Sequence, residues 1–563
     1  MLAPERYARM AARLEMLYGP EAGAACMTAL VRLIEANPIP PRAGGLTERD
    51  AIVIAYGDHL RQPGSTPLAA LHHFMNRHLR DAVNAVHILP FYPYTSDDGF
   101  SVADYRAVNP AFGDWPDVTA MGADFKLMFD LVINHTSVSH AWFQAFLRDE
   151  APYNEYYVTE DPATDLSLVT RPRTHPLLTP FETARGTRHV WTTFSTDQVD
   201  LNFANPAVLL EMLDILLYYI RQGADLIRLD AIAFLWKIAG TTSIHLPQTH
   251  EVVRLMRDVV EAAAPWVILI TETNVPHEEN LSYFGDGTDE AHMVYQFALP
   301  PLLVYTFHTG EARTLSDWAA TLRTPSPQTT FFNFTASHDG IGVRPATGLL
   351  PDDAIARMIE TVQRHGGRIS YRTHPDGSQS AYEMNITYFD ALSAPGDPRA
   401  VDRFIASQAI MLSLAGVPGI YLHSLLGSRN WEQGVIETGH NRAINREKLN
   451  VHIVERELAD RTSTRAQVFE RYRALLRARH AEPAFHPVGA QRILQVGDSV
   501  FAVERTAPDG RSRVVCLHNV SGGDQTVALP PGRWRDLLDD AAGPVSGSLR
   551  LAPLQVAWLR LLP

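Results

Sequence analysis

The chain has 563 residues, 46% of them hydrophobic and 20% charged, which excludes a wholly disordered or fibrous protein and allows a large core. Lys and Arg total 49 against 63 Asp and Glu, a net charge of −14 with no basic tract. That balance argues against nucleic acid and anionic membrane as partners, although a few Arg in a cleft still suffice to hold an anionic substrate. The two cysteines, Cys26 and Cys516, offer neither a disulfide framework nor a zinc cluster and fit a reducing cytoplasm. The charged, amphipathic start MLAPERYARMAARLEMLYG lacks the apolar core of a signal peptide, and no apolar run approaches the ~18 residues of a membrane span. At ~150 residues per domain the length suggests three to four units, or two to three if one is a barrel.

Residues 3–36 repeat apolar positions at helical spacing (Ala11, Leu14, Leu17, Leu30, Leu33, Ile34), and the Pro-Gly break PIPPRAGG follows at 38–45. This pattern predicts a helical extension over 1–48. Eight short apolar runs then alternate with helical patterns: AIVIAY (51–56), AVHILP (85–90), KLMFDLVI (126–133), ADLIRLDA (224–231), WVILITET (266–273), MVYQF (293–297), TTFFNFTA (329–336) and VPGIYL (417–422). Strands separated by helices imply a parallel sheet, and eight of them imply a (β/α)8 barrel over 49–135 and 196–480. A doubly wound open sheet is the competing fold. It favours a Gly-rich phosphate loop after the first strand, and YGDHLRQPG is not one. LLEMLDILLYYI (209–220) is too short for a membrane span, carries Glu211 and Asp214, and reads as a buried helix. Two connections are too long to be plain: 136–195, with the Pro-rich RPRTHPLLTPF, is expected to form an inserted domain, and 340–390, with the turn-rich YRTHPDGSQSAYE, a substrate loop. HPDG (374–377) reads as an ordinary turn. From 481 to 563 short strands with turn residues between them predict an antiparallel β-domain.

The strand exits carry the chemistry. The third run ends Asp130-Leu-Val-Ile-Asn134-His135, the fourth Arg228-Leu-Asp230, the fifth Thr271-Glu272-Thr273 and the seventh Ser337-His338-Asp339. A carboxylate in a barrel mouth costs desolvation and needs a partner or a task. Strand-end caps explain one such residue about as well as a function does. They explain poorly three carboxylates with an Arg two residues before one of them. Two carboxylates flanking a bond are what glycosidic chemistry requires, one attacking and one protonating the leaving oxygen.

DLVINH, IRLDA, ITETN and SHDG, in that order, resemble the four signature regions of the alpha-amylase family, glycoside hydrolase family thirteen, over about residues 51–480. FYPYTSDDGFSVADYRAVNPAFGDW (91–115) and the segment from GVPGIYL to GHNRAINR (416–446) are similar to its sucrose phosphorylase subfamily. RPRTHPLLTPF, GTTSIHLPQTHEVV, TETNVPHEENLSYFGDG and YRTHPDGSQSAYEMNITYFDAL narrow the resemblance to the longer glucosylglycerate phosphorylase branch, with its added N-terminal segment.

The resemblance implies Asp230 as nucleophile, Glu272 as general acid/base and Asp339 as transition-state stabiliser. Arg228 would hold Asp230 ionised, and Glu272 would start protonated. Asp97, His135, His338 and Arg442 would bind the glucosyl ring, with Phe100 packed against it. Arg171 or Arg173, with Tyr382, would bind phosphate and the acceptor, and Arg372 is a further candidate. Glu383 stands where sucrose-specific relatives carry Gln. It is expected to accept from glycerate hydroxyls at some repulsive cost to an anion. The implied reaction is the reversible phosphorolysis of 2-O-α-D-glucosyl-D-glycerate to α-D-glucose 1-phosphate and D-glycerate by double displacement. Alternatives are sucrose, sucrose 6-phosphate or glucosylglycerol as donor, then a hydrolase or transglucosidase, and last a catalytically dead barrel acting as a scaffold. Partners are a small sugar and inorganic phosphate, in a monomer or homodimer. No cofactor and no metal are expected. His245 and His250, five apart, do not share a helix face and read as core or loop polar groups, and Asp97-Asp98 is not expected to bind the cation that some amylases hold.

Overall fold

The computed structural model describes residues 3–374, 377–539 and 541–563. Two of the four HPDG residues, Pro375 and Asp376, lie outside the described residues. The eight apolar runs form eight strands: β1 (Ile52–Ala55), β2 (Ala85–Ile88), β3 (Lys126–Val132), β4 (Ala224–Asp230), β5 (Ile268–Thr271), β6 (Met293–Tyr295), β7 (Thr330–Phe334) and β8 (Val417–Tyr421). All neighbours pair in parallel and the sheet closes on itself, β1 lying between β8 and β2. Their side chains are buried almost throughout, which is why the runs read as continuously apolar rather than alternating. The segment 209–220 lies in helix α3 (Pro206–Arg221), started by the Asn205 side chain accepting from the Ala207 amide.

The N-terminal extension is helical as expected and consists of two helices, α1 (Pro4–Tyr18) and α2 (Pro20–Ala36). Gly19, at φ 79°, ends the first, and Pro20 starts the second. Leu14 and Leu30 are buried as the periodicity predicts, and Met10, Cys26 and Met27 join them. Gly23 lets the two helices touch, since a Cβ there would fall 2.7 Å from the Leu14 carbonyl oxygen. α1 packs on helix α4 (Pro247–Ala263), and α2 on α3. The following strap crosses the barrel floor, where Lys126 Nζ meets the Asp50 carboxylate at 2.7 Å and the Gly45 carbonyl at 3.2 Å.

Both long connections contain more regular structure than their composition suggests. Residues 136–195 hold a helix (Ala141–Leu147) and an antiparallel hairpin of Leu178–Thr183 with Gly186–Trp191. Part of RPRTHPLLTPF is therefore strand. Pro180 is tolerated because both strands of a two-stranded ribbon are edges. Residues 340–390 hold helix Asp352–Arg364, which sequence reading passed over, and a sheet of Ile341–Gly342, Gln379–Asn385 and Arg368–Thr373. The helix buries only Ala354, Met358 and Val362, one narrow stripe among charges. At the C-terminus, Ala490–Ile493, Val500–Thr506, Arg513–Asn519, Val556–Leu561 and Trp534–Asp536 build a five-stranded antiparallel sheet in that order.

Candidate active site

Asp230 is the last residue of β4, and Arg228, two residues earlier, points to the same face. Ala231 then takes a left-handed conformation, φ 51°, uncommon for a residue with a Cβ. The turn aims its amide at the neighbouring strand exit, where it donates to Glu272 Oε2 at 3.2 Å. Arg228 is only 2% exposed and gathers the carboxylates: Nη1 bonds Asp230 Oδ1 at 2.7 Å and Asp130 Oδ1, and Nη2 lies 3.7 Å from Glu272 Oε2. Asp130 is held from behind by His87 Nε2 at 2.6 Å.

The opposite wall is built on Asp339, in the loop after β7. Arg442 Nη1 reaches its Oδ1 at 2.7 Å, with His338 Nε2 at 3.5 Å and Arg446 Nη2 at 3.8 Å. The His338 ring stacks on Phe100, centroids 4.6 Å apart and planes within 7°. Asp97 and Asp98 both adopt left-handed backbone, φ 51° and 49°, and Gly99 follows at φ 117°. The strain is held by Arg446, 2.8 Å from Asp98 and 3.6 Å from Asp97, and by close packing of Gly99 on the Pro90 carbonyl, which a Cβ would meet at 2.3 Å. His135 Nε2 lies 2.9 Å from the Phe100 carbonyl oxygen and 3.1 Å from Gln198 Nε2.

One cavity of about 70 Å³ is lined by Asp97, Phe100, His135, Arg173, Asp230, Glu272, His338, Asp339, Tyr382, Glu383 and Arg442. It shares Asp97, Arg173, Glu383 and Arg442 with an outer chamber of about 630 Å³. Eleven of the fourteen residues singled out from the sequence thus meet at one place. Arg228 sits beneath the cavity as an ion-pair partner. Arg171 lines neither space and forms no hydrogen bond or ion pair among the described residues. Arg372 lines neither space either, and donates to Ser380 Oγ at 3.1 Å.

The electrostatics correct two expectations. Burial pushes the Asp230 carboxyl well above the ordinary range; Arg228 opposes this, while Glu272 and Asp130 add to it. Arg228 therefore offsets the burial of Asp230 only in part, and the ionisation of Asp230 depends on Glu272 as well. Burial also raises Glu272, against Arg228 and with help from Asp339. Two such carboxyls titrate as a pair. Asp230 has the 2.7 Å bond to the cation and Glu272 only a 3.7 Å approach and one amide, a geometry that favours the pair's proton on Glu272. Asp339 is opposite in behaviour: burial would raise it, but Arg442, His338 and Arg446 bring it below the usual carboxylate range. The second correction concerns Glu383. It is 1% exposed, and both of its oxygens accept from Arg442, at 2.7 Å and 3.1 Å. Its charge is neutralised on the glucosyl side and does not face an anion freely.

On the open side Arg173 lies over the rings of Phe194 and Tyr382, 5.8 Å and 5.5 Å from their centroids. Among the described residues it forms no ion pair; its one hydrogen bond goes to the Pro172 carbonyl at 3.3 Å. Burial raises the Tyr382 hydroxyl, partly offset by Arg173, which keeps it a neutral donor. Sequence reading missed Phe194, Gln198, Phe234 and Asn274, which also line the cavity, and Arg446, Asp130 and His87 behind it. Arg446 was within reach, being the second Arg of GHNRAINR. Phe194 and Gln198 stand on the return of the insertion, where no pattern marks them. His245 and His250 bond Tyr283, Glu279 and Glu290, a structural role. Among the described residues no cluster of three His, Cys, Asp or Glu side chains is arranged to hold a metal ion, and no helix is long and apolar enough to cross a membrane.

A parallel eight-stranded barrel delivering three carboxylates into one cleft defines a glycoside-processing enzyme of the alpha-amylase type, and residues 80–344 match the alpha-amylase catalytic domain. The glucosylglycerate phosphorylase of Spirochaeta thermophila is 51% identical over 542 residues, 94% of this chain and 92% of that protein. That of Allomeiothermus silvanus is 47% identical over 567 residues, 99% of both. The chain belongs to the alpha-amylase family, in the group formed by these phosphorylases. In fold it is similar to the crystal structure of sucrose 6F-phosphate phosphorylase from Thermoanaerobacter thermosaccharolyticum, with a TM-score of 0.74 and 24% identity over 84% of this chain and 94% of that one.

Proposed function

We propose that the chain is a retaining glucosyl phosphorylase, a glycosyltransferase by reaction, interconverting 2-O-α-D-glucosyl-D-glycerate plus phosphate with α-D-glucose 1-phosphate plus D-glycerate in the cytoplasm. The observation that carries this reading is the coupling of an Asp230–Glu272–Asp339 cavity to Arg173, a cation that forms no ion pair among the described residues, at its open side. The half-identical phosphorylases of matching length support the same choice. The two buried free cysteines fit a reducing compartment.

In this reading Asp230 attacks the anomeric carbon while Glu272 gives its proton to the departing glycerate oxygen. The C–O bond to glycerate breaks as the bond to Asp230 forms, giving a β-glucosyl-enzyme. Glu272, now ionised, takes a proton from phosphate, whose oxygen displaces Asp230. Two inversions restore the α-configuration. Asp339, kept charged by Arg442 and His338, stabilises positive charge developing on the ring. Asp97, His135 and Arg442 hold glucose hydroxyls, and Phe100 packs against the ring. Arg173 and the Tyr382 hydroxyl receive first the glycerate carboxylate and then phosphate. The planar guanidinium fork suits both anions.

Purified protein with glucose 1-phosphate, offered D-glycerate, fructose, fructose 6-phosphate and glycerol separately, tests the reading by phosphate release. Fastest release is expected with D-glycerate. Preference for fructose, fructose 6-phosphate or glycerol moves the chain to the corresponding rival, and release without any acceptor makes it a hydrolase.

A further inference from the structure

The α1–α2 hairpin lies outside the barrel and supplies no residue to the cavity, yet its ion pairs run in a defined direction. Arg6 meets Glu261 at 3.4 Å, Arg9 meets Asp258 at 2.6 Å, and Arg13 meets Asp258 at 2.8 Å and Glu251 at 3.1 Å. As α1 advances, its partners step back along α4 towards Pro247. α1 therefore runs antiparallel to α4 and climbs to that helix's N-terminal end, the end nearest the strand exits of a (β/α)8 barrel. Asp258 is 3% exposed, and among the described residues Arg9 and Arg13 are its only side-chain partners. The register is thus set by a buried charge and not by apolar contact alone.

Tyr18, the last residue of α1, is delivered to the face that carries the cavity. Its hydroxyl donates to the Phe203 carbonyl at 2.9 Å, and its ring lies 6.2 Å from that of Trp236. Those two contacts belong to different walls. Phe203 follows Gln198 on the return of the insertion after β3, and Trp236 follows Asp230, Ala231 and Phe234 in the loop after β4. The walls also meet each other, since the Phe234 and Phe194 rings are 5.4 Å apart and Arg173 rests on Phe194.

We propose that the α1–α2 hairpin is a positioning arm and that Tyr18 is the positioning residue at its tip, holding both walls in the register that supports the Phe234–Phe194 platform under Arg173. Tyr18 touches no substrate and acts through Trp236 and the Phe203 carbonyl. The kinetic part of this inference rests on the phosphorylase reading; the conformational part does not.

The test uses the full chain and two variants. In Tyr18→Ala, hydrogen–deuterium exchange is expected to quicken in both 198–205 and 231–246, while the β1–β8 amides stay protected. Tyr18→Phe removes only the bond to the carbonyl, so exchange is expected to rise in 198–205 and not in 231–246. In phosphorolysis Tyr18→Ala, which loses the hydrogen bond and the ring contact together, is expected to raise KM for phosphate about fivefold, with kcat within about twofold. Tyr18→Phe should fall between it and the parent. Unchanged exchange in both segments of either variant overturns the positioning role. So does a fall in kcat at constant KM, which marks a general loss of active protein. If the chain catalyses no phosphorolysis at all, the exchange pattern still decides the arm's role by itself.

Discussion

The two sides of the cleft are built on different principles. On the proposed glucosyl side the charges are matched by one another: Asp230 and Asp130 by Arg228, Asp339 and Glu383 by Arg442, and Asp98 by Arg446. On the proposed acceptor side Arg173 and Tyr382 stand on the two long connections, and among the described residues the cation has two aromatic faces and one carbonyl beside it. A donor sugar that is the same in both directions of the reaction suits a rigid, pre-paired wall. The two anions that take turns in the proposed reaction suit a loop-borne cation that forms no ion pair among the described residues. The contrast teaches that a charge already spent in an ion pair orients its neighbours, whereas one without such a partner remains available to a ligand.

Breaking the rigid side has the largest expected effect. Asp230→Asn should abolish turnover. Glu272→Gln should cost ~10²–10⁴-fold in the rate of phosphorolysis, the range of general acid–base help. Initial rates on protein whose fold is verified by circular dichroism check both, and near-parental activity of either variant ends the assignment.

The acceptor side should respond more mildly and through KM. Arg173→Ala removes a charged hydrogen bond worth ~1.5–3 kcal/mol, so KM for phosphate and for D-glycerate should rise together by about tenfold or more. Arg171→Ala should leave both within about twofold, because Arg171 lines neither chamber. Steady-state kinetics in both directions measure this, and a larger effect from Arg171 than from Arg173 reverses the choice between them.

Glu383 sharpens the comparison because it sits at the border. Its carboxylate is spent on Arg442, so Glu383→Gln should weaken the glucosyl side. KM for glucose 1-phosphate should rise about fivefold whichever acceptor is offered, since a neutral amide replaces a charged bond. If only the D-glycerate KM moves, Glu383 belongs to the acceptor instead.

The smallest expected effect is on pH dependence. Glucosyl transfer to Asp230 requires the pair with one proton, so the rate rises as the first carboxyl ionises and falls as the second loses its proton. Asp339 raises Glu272 by its charge. Asp339→Asn should therefore lower that upper limit, moving the alkaline limb of the residual kcat/KM profile to lower pH. A limb that stays in place or moves to higher pH contradicts the proton's location on Glu272.

Strand exits were legible because a buried parallel strand has a continuous apolar signature and its last residue is the first that can be polar. DLVINH, IRLDA, ITETN and SHDG therefore stood out with their carboxylates. The helix Asp352–Arg364 was legible too, since Ile355, Met358, Ile359 and Val362 recur at helical spacing among charges, but it was passed over inside a long, turn-rich connection. The break at Gly19-Pro20 was written in the residues themselves and passed over in favour of the longer period.

The amino-acid sequence by itself determined the barrel, the order of its strands and the three carboxylates, since those depend on apolar periodicity and on residue type at strand ends. It also carried the family, through motifs lying within single segments. Only the tertiary structure set Arg173 rather than Arg171 against the cavity, placed the Glu383 charge on Arg442, and brought Tyr18 to Trp236. Each of these is a contact between residues far apart in the chain. Two arginines separated by one residue are chemically equal until folding puts one over Tyr382 and leaves the other, among the described residues, without a partner, and the charge of Glu383 acquires its meaning only from the cation that folding sets 2.7 Å away.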